Sequence, residues 1–462
     1  MQIDFTYYDN ADSKMHTIPD FKSCYEIPNP ETVKTIYISS IHRDDDNDII
    51  VDNLGLGILS NVKSVNICCG SIKNLSVKWL PRNIQELILA RINISDIDNE
   101  IEFRRVLPHL DLLVIESCVS DKIDIKLLHL KLPTYMKYIK LSEYQLCMWP
   151  ASLNTCQGLQ HLDLSNNQIK TIPLGLATLL PNLRILNLSC NRLTNMPELP
   201  PCINELILND NLITDVDTGL PLMCTLLNIA NNALQGLPSE LPAGLLAMDI
   251  SNNPDIDELP EILPLFLETL VIASCRINRL PEILPLNLVT LLAEHNEITS
   301  INIIWPLSIE QINLQNNQIT EIPECLATCK NIRLLNLAHN PLEKRPVGNE
   351  FSFGSLLNLQ SLVLDYTGFT QEDVPLNNNC NVMSLSEEDI QTRHESIITM
   401  EPKHRYPGDF DSSRDSSRDS YFTNPSIETR FAETVENAQH IAIKLRDTIG
   451  SAITWLIDPD EY

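Results

Sequence analysis

Glycine is scarce in this chain, with 13 residues among 462. The patterns G-x-x-x-x-G-K-[ST] and G-x-G-x-x-G do not occur, and neither do H-E-x-x-H and G-x-S-x-G. Phosphate-cradling loops need glycine where the backbone approaches a ligand closely, so nucleotide chemistry is disfavoured. The sequence therefore predicts no catalytic residues, no metal ligands and no cofactor.

Positive charge is also in short supply, because 33 lysines and arginines face 61 acidic residues, for a net charge of −28. A field of that sign repels nucleic-acid phosphates and anionic lipid headgroups. We therefore expect no nucleic-acid binding, and we expect a protein partner with a basic surface. No run of 18 apolar residues occurs, which disfavours a membrane span.

The N-terminus offers no basic stretch followed by an apolar one, so a classical signal peptide is not expected. The 13 cysteines are odd in number and scattered, which favours reduced thiols acting as small hydrophobic residues in a reducing cytoplasm. Cys68 and Cys69 are adjacent and lack a C-x-x-C partner, so they make a poor zinc site.

Aromatic residues make up only 5% of the chain, so aliphatic side chains must fill most of its core. They recur on the template L-x-x-L-x-L-x-x-N-x-L-x-x-L-P, with Leu159, Leu162, Leu164 and Asn167 opening one clear unit. Between residues 203 and 309 the period is about 21 residues. Weaker units precede these, and the total is roughly fifteen units.

The template has a simple physical basis. Its L-x-L segment predicts a short strand with inward leucines, and stacked strands form a parallel sheet. The asparagine turns inward and hydrogen-bonds the backbone of neighbouring turns, forming a structural ladder. The predicted ladder consists of Asn167, Asn191, Asn211, Asn232, Asn253, Cys275, Asn296, Asn317 and Asn340.

Over residues 33–379 the pattern resembles leucine-rich-repeat proteins. The short period and the L-P-E-I-L-P joints at 259–264 and 280–285 resemble those of the bacterial subtype. That subtype is found in effectors that Legionella-like intracellular pathogens deliver into host cells. The resemblance implies an α/β solenoid, a horseshoe with a parallel concave sheet and a mostly extended or short-helical convex side. It also implies binding of a host protein. We expect no ubiquitin-ligase catalytic domain of the kind that some such effectors carry, because the residues after 380 offer no Cys-x-Asp motif.

The positions that flank the inward leucines are predicted to face a partner on the concave side. The aliphatic members of this column, Ile207, Val271, Leu292 and Val363, are expected to expose apolar surface. Val271 and Leu292 suggest an apolar spot with an acidic rim, although β-branched residues also suit strands in general. His295 and His339 stand just before the ladder asparagine, where isolated surface histidines are common. The predicted partner-binding residues are Asp163, Asn187, Ile207, Asn228, Asp249, Val271, Leu292, Glu294, His295, Asn313, Asn336 and His339.

Four regions are expected. Residues 1–32 form an N-terminal cap, 33–379 the repeat array, 380–425 a polar and largely disordered linker, and 426–457 an amphipathic helix. Three partners remain open for that helix: the array, another helix (including self-association), or a membrane surface. Its acidic residues outnumber its basic ones, which disfavours the membrane.

Three functional classes compete. The first is an interaction scaffold, a bacterial effector that is secreted without a classical signal peptide and acts in host cytoplasm. The second is a regulatory or adaptor subunit of a phosphatase, kinase or ubiquitin-ligase complex, whose C-terminal helix recruits another component. The third, an enzyme with a cryptic site, is disfavoured because repeat arrays supply few deep pockets.

Overall fold

The computed structural model describes residues 3–9, 14–18, 23–40, 54–72, 80–94, 103–116, 131–196, 198–216, 219–343, 351–369 and 380–383. The chain forms two compact units. Unit 1 comprises Met1–Leu267 and Val271–Pro281, and unit 2 comprises Glu268–Leu270 and Glu282–Tyr462. Most of the predicted linker and the whole predicted C-terminal helix lie outside the described residues.

Unit 1 is built on a ladder of short strands. They are β1 (Ile3–Asp9), β2 (Lys14–Ile18), β3 (Val33–Ser40), β4 (Ser64–Ile72), β5 (Glu86–Ile94), β6 (Leu112–Glu116), β7 (Tyr138–Ser142), β8 (His161–Asp163), β9 (Ile185–Asn187), β10 (Glu205–Ile207), β11 (Leu226–Asn228) and β12 (Ala247–Asp249). Strand β1 pairs antiparallel with both β2 and β3. From β3 to β12, each strand pairs in parallel with the next.

Strand β13 (Thr269–Val271) lies where the two units divide. Unit 2 continues with β14 (Thr290–Leu292), β15 (Gln311–Asn313), β16 (Leu334–Asn336), β17 (Ser361–Val363) and β18 (Asn381–Met383). These five strands also pair in parallel, each with its successor.

Helices are few and short in the described part of the chain. The α-helices are α1 (Phe103–Val106) and α2 (Leu176–Leu179), and the 3₁₀ helices are Cys24–Glu26, Leu56–Ile58, Ala151–Thr155, Glu324–Thr328 and Phe353–Ser355. The predicted fold class, a solenoid of parallel strands with short connecting helices, is confirmed. A repeat of about 21 residues leaves little room for a longer helix between strands.

The core consists of the side chains at the centre of each strand. Leu162, Leu186, Leu206, Leu227 and Met248 are at most 1% exposed. Full burial of one such side chain contributes roughly 1.5–3 kcal/mol, and every turn repeats the contribution. Because side chains alternate along a strand, the residues on either side of each central one point to the opposite, outer face of the sheet.

From β8 to β17, the chain leaves each strand through one residue in the left-handed backbone region, just before the ladder position. The φ angles at these sites lie between 52° and 58°. Asparagine, aspartate and histidine tolerate this region better than other side chains, which accounts for the recurring Asn-Asn pairs. The residues are Asn166, Cys190, Asp210, Asn231, Asn252, Ser274, His295, Asn316, His339 and Tyr366.

Candidate binding face

The ladder asparagines hold neighbouring turns together from inside. Asn253 is fully buried, and its Oδ1 accepts a hydrogen bond from the N–H of Leu234 at 3.1 Å. Its Nδ2 donates to the carbonyl oxygens of Ile229 at 3.1 Å and Ile250 at 2.8 Å. The same arrangement recurs at Asn167, Asn191, Asn211, Asn232, Asn317 and Asn340. Asn296 donates to the carbonyl of Ala293 in its own turn at 3.2 Å.

Cys275 occupies the ladder position of its turn, and the turn before it contains one extra residue. Its Sγ donates to the carbonyl oxygens of Ile250 at 3.5 Å and Ala273 at 3.7 Å. In the longer turn, the N–H of Ile256 donates to the carbonyl of Asn253 at 3.1 Å. That N–H therefore needs no amide oxygen from the next turn, and the weak S–H donor of a cysteine meets the remaining demand.

The predicted partner-binding column occupies the last residue of each strand, and six of its members have a structural role. Asp163 Oδ1 accepts from the N–H of Ser165 at 2.9 Å, and Asp249 Oδ1 accepts from the N–H and Oγ of Ser251. A side chain that caps the N–H two residues later forms an Asx turn. The other members with this bond are Asn187, Asn228, Asn313 and Asn336.

Two aliphatic residues of this column are more deeply buried than expected. Leu292 and Val363 were expected to expose apolar surface, but they are only 3% and 7% exposed. Strands of a sheet lie about 5 Å apart, so side chains on adjacent strands cover one another. Leu292 is paired with Asn313, and Val363 with Asn336 and Met383. Ile207 and Val271 are half-buried.

The first residue of each strand forms a second column, whose members are not among the predicted partner-binding residues. Leu112, Tyr138, His161 and Ile185 follow one another in register on β6 to β9, and all four are half-buried. The rings of Tyr138 and His161 lie 4.2 Å apart, centroid to centroid, at 34°. The repeat template is sufficient to locate this column, because the second x of L-x-x-L is the first residue of each strand.

The interactions of charged side chains on the outer face change along unit 1. Near β6 and β7, Lys140 pairs with Glu116 at 2.8 Å and Lys137 pairs with Asp111 at 3.3 Å. Further along, burial raises the pKa of the Asp249 carboxyl, and the negative charge of Asp210 raises it further, against the hydrogen bonds from Ser251.

The two predicted histidines and Glu294 lie in the turns that follow β14 and β16 in unit 2. His295 is exposed, and its Nε2 lies 3.3 Å from Nδ2 of Asn316 on the next turn. His339 is exposed and stacks on Tyr366, with 4.3 Å between ring centroids. Glu294 is half-buried.

Several thiols of unit 1 are buried. Burial raises the pKa of Cys24, Cys156 and Cys224 to about 12, so these side chains are neutral at ordinary pH. Within the described ranges, no three or more histidine, cysteine or acidic side chains are grouped as metal ligands would be. No helix in the same ranges has the length and apolar character needed to traverse a bilayer.

Two segments match profiles of known repeats. The profile of "Leucine Rich repeats (2 copies)" matches residues 157–201, and that of "Leucine Rich Repeat" matches residues 308–329. These segments are leucine-rich repeats. The first contains Tyr138's ring partner His161 and the ladder residues Asn167 and Asn191.

Curated relatives match only part of the chain. Keratocan of Gallus gallus is 34% identical over 124 residues, which is 27% of this chain and 30% of keratocan. Oligodendrocyte-myelin glycoprotein of Mus musculus is 32% identical over 108 residues, or 23% of this chain and 20% of that protein. The chain therefore spans less than a third of the length of these relatives.

Solved structures show the same fold over more of the chain. The functional domain of InlJ from Listeria monocytogenes has a TM-score of 0.58 and 19% identity, covering 76% of this chain and 73% of that domain. A leucine-rich-repeat protein of Leptospira interrogans has a TM-score of 0.54 and 19% identity, covering 80% and 90%. These bacterial proteins share the leucine-rich-repeat solenoid.

Proposed function

We propose that this chain is a protein-interaction scaffold that binds one protein partner on the outer face of the sheet in unit 1. The observation that carries the proposal is the continuous row of Leu112, Tyr138, His161 and Ile185, with its ring pair at 4.2 Å. Tyrosine beside half-exposed aliphatic side chains is characteristic of the energetic centre of protein interfaces.

Site-specific crosslinking tests this proposal. A photoreactive phenylalanine analogue is placed at Tyr138 in the full chain, and at Leu174 as the control, which is 93% exposed. We expect one host-cell protein to be crosslinked from position 138 and not from position 174. Equal crosslinking from both positions, or none from position 138, contradicts binding on this face.

We further propose that the scaffold is a bacterial effector acting in host cytoplasm. The support is the short repeat period and the proline-containing joints, which resemble those of delivered effectors. The chain is fused to a reporter enzyme that is active only in host cytosol and expressed in a pathogen with a contact-dependent secretion system. Reporter activity in host cells that is lost when the secretion system is inactivated supports delivery, and its absence in both strains rejects it.

The second candidate is an adaptor subunit, favoured by the apolar stripe at Ile427, Phe431, Leu445 and Ile449 in the sequence. Leu445→Glu with Ile449→Glu in the full chain disrupts that stripe. An adaptor loses recruitment of a second component while retaining the partner bound in unit 1. A scaffold that only sequesters its partner is unaffected.

A further inference from the structure

Strands β9 to β11 carry a small apolar cluster on their outer face. Ile185 begins β9, Ile207 ends β10 and Leu226 begins β11, and all three side chains are half-buried. Their register places Ile185 and Leu226 on either side of Glu205, the buried first residue of β10. The cluster thus spans three adjacent strands, about 10 Å at the ordinary strand spacing.

Two carboxylates border this cluster without a cationic partner. Asp210 is exposed in the turn after β10, and its Oδ2 is contacted by Asn209 Nδ2 and, at 3.8 Å, by Cys190 Sγ. Asp249 ends β12 and is capped to Ser251. The ion pairs seen in the described part of unit 1 are Lys137–Asp111 and Lys140–Glu116, and neither includes Asp210 or Asp249.

We infer that this acidic–apolar face, consisting of Ile185, Ile207, Leu226, Asp210 and Asp249, binds a segment of the partner protein that carries lysine or arginine beside aliphatic residues. The inference rests on the proposed function and names the chemistry of the partner. Two unpaired carboxylates gain most from a cation, and the half-buried aliphatics gain from apolar contact that displaces water.

The spacing of the strands sets the spacing of the partner's charges. Asp210 follows β10 and Asp249 ends β12, so two strand spacings, roughly 10 Å, separate them across the sheet. Three residues of an extended or polyproline-type chain cover about the same length. Basic side chains in the bound segment are therefore expected three residues apart, with aliphatic residues next to them. The charge also fits the chain as a whole, which carries −28.

Selection of peptides on the full chain tests the inference. A random twelve-residue display library is selected on the full-length protein, and the enriched peptides are synthesised and titrated by fluorescence anisotropy. We expect enrichment of Lys/Arg-x-x-Lys/Arg with neighbouring aliphatics. The double variant Asp210→Asn, Asp249→Asn is expected to lower affinity at least tenfold and to flatten its dependence on salt concentration.

The matched control removes the same charge elsewhere. Glu198→Gln with Glu240→Gln neutralises two exposed acidic side chains in the segments that return to the next strands, and it is expected to leave affinity within twofold. Ile207→Ser tests the apolar part, with an expected loss of about tenfold. Circular dichroism and thermal melting verify that each variant is folded.

Different results reject different claims. Failure to enrich any peptide, enrichment without basic residues, or equal affinity for the wild type and the double variant overturns the inference. If binding then depends on Tyr138→Ala, the proposed function stands and its site lies nearer β7. If neither the Tyr138 variant nor the double variant changes binding of any selected peptide or partner, the proposed function fails as well.

Discussion

The thiol of Cys275 lies 3.5 Å from the carbonyl oxygen of Ile250, in the position where neighbouring turns place an asparagine amide. The substitution is compatible with the fold because the preceding turn contains one more residue. There the N–H of Ile256 bonds within its own turn, to Asn253. The length of one turn thus determines which side chain the next turn can use.

Removal of a ladder asparagine is expected to be costly. Asn253→Ala leaves the buried N–H of Leu234 without its acceptor. It also removes one of the two side-chain donors from each of the carbonyls of Ile229 and Ile250, which keep Asn232 and Cys275 respectively. Unsatisfied buried groups cost about 1–3 kcal/mol each, so we expect a loss of roughly 3 kcal/mol. Urea unfolding followed by circular dichroism measures it, with the exposed Asn204→Ala as control. Equal unfolding midpoints for the two variants contradict the prediction.

The same comparison of lost hydrogen bonds predicts a smaller loss of stability at Cys275. Cys275→Ala removes only two long thiol contacts, so we expect a loss of about 1 kcal/mol. Cys275→Asn is expected to give no gain over the wild type, because the N–H of Ile256 already has an acceptor. Thermal unfolding compares the three proteins. A clear rise in melting temperature for the asparagine variant shows that the longer turn does not satisfy its own N–H.

Sequence and structure agree where one physical demand dominates a position. The repeat period locates Leu186 and Leu206 in the core because the central strand residue of every turn must be buried. It cannot distinguish a partner-facing aspartate from an Asx cap, since both are short polar residues on the same column. The capping role of Asp249 could therefore be recognised only from its hydrogen bond to the N–H of Ser251. The burial of Leu292 depends on neighbouring strands, which no single repeat specifies.

Asp249 makes stability depend on pH. Its pKa is raised above the ordinary 3.8, mainly by burial, so the folded state binds this proton more tightly than the unfolded state does. The stabilisation from this group is complete below about pH 3.8 and is lost as the pH rises through the folded-state pKa. Asp249→Asn keeps a cap of the kind that Asn228 makes, and it is expected to be more stable than the wild type at pH 7.

Urea midpoints across pH 3 to 8 test this expectation. The difference between Asp249→Asn and the wild type should be largest at neutral pH and disappear at the acidic end. The reverse change at an equivalent position, Asn228→Asp, serves as the matched comparison and should lower the midpoint at pH 7. A pH-independent difference at position 249 refutes the assignment of the effect to ionisation.

Tyr138 is expected to dominate partner binding among the residues of β6 to β9. Tyr138→Ala removes the ring that faces His161 at 4.2 Å and opens the centre of the row to water, so we expect affinity for the crosslinked partner to fall at least tenfold. Titration calorimetry with the purified partner measures the change. Tyr25→Ala, at a site 77% exposed, is the control and should retain wild-type affinity. A Tyr138 variant that binds as well as this control places the interface away from these strands, because loss of a central aromatic side chain cannot leave such an interface intact.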